Sequence, residues 1–79
     1  MSKVFQVHVS WDEEARVWYV SESDVPGLNA EAETLDEMQI ELRQLVPELL
    51  TLNGVIRPQN HEVPWELVSR HSEKTRAAC

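Results

Sequence analysis

The chain has 79 residues, 42% of them hydrophobic, with seven basic residues set against 14 acidic ones for a formal charge of −7. Its length allows one domain with one small core. The hydrophobic content opposes wholesale disorder, and the acidic balance opposes direct nucleic-acid binding, which relies on clustered Lys and Arg. A lone cysteine, Cys79, has no intramolecular mate, so no disulfide framework is expected. With no signal-peptide pattern and no apolar run of membrane-spanning length, the expected location is the cytoplasm.

In chain order, Lys3 to Trp11 alternates, with Phe5, Val7, Val9 and Trp11 on one side and Gln6, His8 and Ser10 on the other. This pattern predicts a half-buried strand. Asp12 to Arg16 is a polar turn of hairpin length, and Val17 to Glu22 returns as a second strand. Trp18 and Val20 are assigned to the core side, which leaves Val17 and Tyr19 on the opposite face. Val25-Pro26-Gly27-Leu28 carries the residues of a type II turn. Leu28 to Glu33 is read as a third, short strand, with Asn29, Glu31 and Glu33 on its outer side.

Thr34 to Asn53 has the strongest period in the chain. Leu35, Met38, Leu42, Leu45, Val46, Leu49 and Leu52 recur at three- and four-residue steps, predicting an amphipathic helix. Thr34 and Glu37 have the spacing of a capping box, and Asn53-Gly54 supplies the stop. Pro47 must either kink this helix or end it near Val46 and open a second turn. Ile40 and Pro47 fall on the face away from the stripe. Gly54 to Glu62 reads as a loop with Pro58 and Asn60 as breakers, and Val63 to Ser69 as a fourth strand starting near Pro64. The remainder is polar and aperiodic.

The expected architecture is therefore a two-layer α+β domain, β-β-β-α-β, over residues 1–70, followed by a flexible tail at 71–79. A helix between strands three and four permits a crossover that lays strand four parallel to strand one. One sheet face takes the helix and the other stays bare.

A search for chemistry finds little. Asp12, Glu13, Glu14, Glu22, Asp24, Glu31 and Glu33 cluster near strand ends and could approach one another, but they lack a recognised metal-ligand spacing and are ordinary for solvated turns. His8, His61 and His71 are scattered without the pairing of a zinc site. Two distant glycines cannot build a phosphate loop, and Ser10, Ser21 and Ser23 lack an activating neighbourhood. No catalytic, metal or cofactor site is expected, and the chain is read as a non-enzyme. Trp11, Trp18, Trp65 and Tyr19 are many large aromatics for one small sheet, and such residues anchor cores and interfaces alike.

The order of short motifs resembles the HicB-like antitoxin superfamily. These are W-D-E-E at Trp11 to Glu14, an aromatic return strand, S-x-D-V-P-G-L at Ser23 and Asp24 to Leu28, and T-L-D-E at Thr34 to Glu37. More closely, the chain looks like a small bacterial branch of unknown function, through E-A-x-V-W at Glu14 to Trp18, L-x-P-E-L-L-x-x-N at Leu45 to Asn53, and V-P-x-x-L at Val63 to Leu67. The resemblance implies a partial ribonuclease-H-like fold without its catalytic acids. It also implies neutralisation of a small basic HicA-like toxin that degrades messenger RNA. HicB-type antitoxins usually carry a C-terminal DNA-binding segment, and nothing after Val68 is long enough for one. The leading expectation is an interaction module that occludes such a toxin through Tyr19, Glu31, Glu33 and Trp65, itself a dimer or tetramer. A second is a stand-alone homo-oligomeric domain with no toxin partner, and a third a metal-dependent nuclease remnant.

Overall fold

Four strands pair into one mixed sheet in the order β3-β2-β1-β4, with β1 at Phe5–Asp12, β2 at Val17–Ser23, β3 at Glu31–Ala32 and β4 at Trp65–Arg70. A single helix, α1, spans Leu35–Leu52. The computed structural model describes residues 4–55 and 63–77. Lys3, most of the loop expected over Gly54 to Glu62 (with Pro58, Asn60 and His61), and Cys79 lie outside the described residues.

β1 and β2 form an antiparallel hairpin. At its turn the Asp12 carbonyl accepts from the Arg16 amide at 2.7 Å, and Asp12 Oδ1 accepts from the Glu14 and Ala15 amides. Asp12 thereby satisfies the backbone of the turn, while Arg16 takes the left-handed conformation (φ 58°) that closes it. Further along, Val9 pairs with Val20 but His8 pairs with Glu22. Ser21 is the extra residue of a β-bulge, and its hydroxyl donates to the His8 carbonyl at 3.2 Å. The type II turn is supported by Gly27 at φ 75° and by the Leu28 amide donating to the Val25 carbonyl.

The third strand is shorter than expected. Only Glu31–Ala32 pairs fully with β2, because the chain is still leaving the Val25–Leu28 turn until Ala30, whose carbonyl accepts from the Val20 amide. β4 lies parallel to β1, as the helical crossover anticipated, and begins at Trp65 rather than Val63. The Pro64 carbonyl accepts from the Phe5 amide at 3.1 Å.

The helix starts where the sequence placed it. Thr34 Oγ1 accepts from the Glu37 amide at 3.1 Å, and Asp36 and Glu37 sit in the first turn where the helix dipole favours negative charge. Its end is a Schellman motif: Val55 N–H donates to the Leu50 carbonyl, Gly54 N–H to the Thr51 carbonyl, and Gly54 adopts φ 69°. Thr34→Ala should cost about 1 kcal/mol, since the Glu37 amide loses its acceptor. Urea unfolding would read this as a lower midpoint with an unchanged slope.

Of the two outcomes open at Pro47, the helix runs on rather than ending near Val46. The apolar stripe departs from the sequence reading at its C-terminal end, where Leu50 takes the buried place expected of Leu52. The buried stripe is Met38, Leu42, Val46 and Leu50, with Leu35, Leu45 and Leu49 half-buried, whereas Leu52 is 74% exposed. Strict four-residue steps from Met38 carry the buried face round to Leu50, so Leu52, in the last turn, points off it. Ile40 is exposed, as its position predicts.

The core lies between α1 and one sheet face. Phe5, Val7 and Val9 of β1 join Val25, Ala30, Ala32 and the helix stripe, and Trp18, Val20, Trp65 and Leu67 pack around them. No buried side-chain polar atom among the described residues lacks a partner.

Candidate functional site

The face of the sheet turned away from α1 is its uncovered surface among the described residues, and its composition follows from strand alternation. Since Phe5, Val7 and Val9 face the helix, Gln6, His8, Ser10 and Asp12 face outward. Pairing then places Glu66, Val68 and Arg70 beside them on one flank, and Glu22, Tyr19, Val17 and Glu31 on the other. Gln6 links two strands, its Nε2 donating to Glu66 Oε1 at 2.7 Å while its Oε1 lies 3.3 Å from His8 Nε2. Ser10 donates to the Ser21 hydroxyl at 3.1 Å. Both serines are thus engaged with each other and the main chain rather than with a base. The face carries Asp12, Glu22, Glu31 and Glu66 against Arg70, so its charge is net negative.

Tyr19 stands in this face at 37% exposure, directly opposite Glu31 across the β2–β3 pair. Of the four residues singled out from sequence, these two come together. Glu33 is exposed just before the helix cap, at the rim of a shallow groove. Trp65 lies on the other side of the sheet: it pairs with Phe5, is half-buried, and packs against the core. Alternation from the core-facing Leu67 accounts for its placement.

The groove beside Glu33 has a volume of about 340 Å³ and is lined also by Trp11, Trp18, Thr34, Leu35 and His71. Trp11 and Trp18 are cross-strand partners whose rings meet edge to face at 5.5 Å. His71 packs on both, with ring centroids 6.0 Å from Trp11 and 5.9 Å from Trp18, and its Nε2 lies 3.4 Å from Glu73 Oε1. Sequence reasoning assigned His71 no such role, because it sits in an aperiodic segment and the contact exists only once β4 runs parallel to β1. The Trp11 indole N–H donates to Glu13 Oε2 at 2.7 Å.

Among the described residues no group of three or more His, Cys, Asp or Glu side chains is placed to hold a metal ion, and no helix is long and apolar enough to cross a membrane. The arrangement offers a broad, acidic, hydrogen-bonding surface with one partly exposed aromatic ring.

Comparison with known proteins supports the same architecture. Hypothetical protein TTHA1013 from the extremely thermophilic bacterium Thermus thermophilus, known from a crystal structure, is 42% identical and superposes with a TM-score of 0.68 over 95% of this chain and 100% of that one. No curated protein matches the chain. Residues 4–78 match the domain of unknown function DUF1902, which takes in all four strands, the helix and the segment bearing His71. The chain belongs to the DUF1902 family.

Proposed function

We propose that this protein is a non-enzymatic interaction module of the HicB-like antitoxin type, which binds a small basic HicA-like toxin and occludes its active site. The observation that carries this reading is the sheet face left uncovered among the described residues, where the partly exposed Tyr19 stands among Glu22, Glu31, Glu66 and Asp12. Acidic side chains around an aromatic anchor suit a basic partner: the charges steer the encounter and fix its register, and the ring supplies buried contact area. The chain's formal charge of −7 acts in the same direction. The order of sequence motifs that resembles the HicB-like superfamily supports the choice of partner class.

The test begins with the neighbouring gene. If it encodes a small basic protein, the two purified chains should bind, and the complex should lose the partner's ribonuclease activity. Tyr19→Ala should weaken binding about 10- to 100-fold, and Glu31→Lys should slow association and reduce its salt dependence. Native-host pull-downs that recover no small basic protein, or a complex indifferent to both substitutions, would refute the reading.

A further inference from the structure

β4 is an edge strand: among the described residues it pairs with β1 alone. Its outward-facing hydrogen-bonding groups can be identified. The Phe5 amide donates to the Pro64 carbonyl in the parallel β1–β4 pair, and the N–H and C=O of one strand residue point the same way. Glu66, Val68 and Arg70 therefore direct their backbone toward β1, and Trp65, Leu67 and Ser69 direct theirs to the outer edge. No Pro or Lys lies within Trp65–Arg70, and its two charges, Glu66 and Arg70, both stand on the open sheet face. Trp65 and Leu67 remain half-exposed on the helix side.

The residues of this strand complement a second copy of themselves. We propose that β4 is a dimerisation edge, to which a second copy adds antiparallel with Val68 facing Val68 across the two-fold axis. In this register Glu66 of each copy stands opposite Arg70 of the other, on the open sheet face. Leu67 of each copy stands opposite Ser69 of the other. Those residues carry the outward N–H and C=O groups, so they form the hydrogen-bonded pairs. Val68–Val68 and Glu66–Arg70 become the non-hydrogen-bonded pairs, whose side chains approach most closely. Sliding by two residues in either direction sets Val68 against Glu66 or Arg70 and loses both charge pairs. The result is a continuous eight-stranded sheet, β3-β2-β1-β4 followed by its mirror order, with both helices on one face and both Tyr19 rings on the other.

This assignment uses the edge of the sheet rather than its Tyr19–Glu31 region. Glu66 also belongs to the surface that carries the toxin-binding reading, so Ser69→Pro, which leaves that surface intact, separates the two. Sedimentation equilibrium of the full chain at high micromolar concentration should show a dimer. Glu66→Arg and Arg70→Glu, each of which sets like charges opposite one another twice per dimer, should raise the dissociation constant about tenfold or more. The double swap Glu66→Arg/Arg70→Glu should restore it, because the pairs re-form with opposite polarity. Ser69→Pro removes an outward N–H without touching the β1 ladder and should yield a folded monomer by circular dichroism. A wild-type monomer under these conditions, a dimer indifferent to Ser69→Pro, or single charge reversals that the double swap does not rescue would each overturn the proposal.

Discussion

Leu50→Ala is expected to cost about 2–5 kcal/mol of folding stability, whereas Leu52→Ala, two residues on, should stay within about 0.5 kcal/mol. Leu50 has no accessible surface and closes the buried stripe of α1, while Leu52 is 74% exposed. Removing the Leu50 side chain forfeits its transfer free energy and leaves a cavity. The core lining it is formed by short strands and one helix, with little freedom to collapse. A domain of this size has a total stability of roughly 4–12 kcal/mol. The loss is therefore a large share of the whole, and the variant should unfold at markedly lower urea. Equal effects at the two positions would show that the helix packs on its sheet in a different rotation.

Pro47→Ala should act in the opposite direction, raising stability by about 1–2 kcal/mol. In the uninterrupted helix Leu35–Leu52, Pro47 cannot donate to the Arg43 carbonyl, and its ring crowds that oxygen. An interior proline costs about 3 kcal/mol relative to alanine. Its restriction of the unfolded chain returns about 0.4–1 kcal/mol, and local adaptation of the helix offsets more. Urea midpoints of the two proteins decide the matter. If Pro47→Ala destabilises, the half-buried proline ring makes contacts that outweigh the missing hydrogen bond.

Leu50 and Pro47 also mark where sequence reasoning was strong and where it stopped. The 3.6-residue period located α1 to within a residue at each end, because Thr34 and Asn53-Gly54 are local signals whose physics involves only neighbouring backbone groups. The same period put Leu52 in the stripe and left out Leu50, the reverse of what the structure shows, since both lie near the margin of the apolar arc. Only the placement of the helix over the sheet selects one. Alternation put Phe5, Val7 and Val9 inside and Tyr19 outside, but Trp65 needed the register of β4 against β1 before its face could be known.

By itself, then, the chain determined the element order, the helix limits, the inward residues of β1 and β2 and the acidic outer side of the third strand. These follow from patterns of two, three or four residues, which side-chain geometry converts directly into faces. The tertiary structure alone decided the Ser21 bulge, the packing of His71 on Trp11 and Trp18, and the exposure of the β4 edge. Each depends on which strand lies beside which, a choice made by burial of the whole core and not by neighbours along the chain.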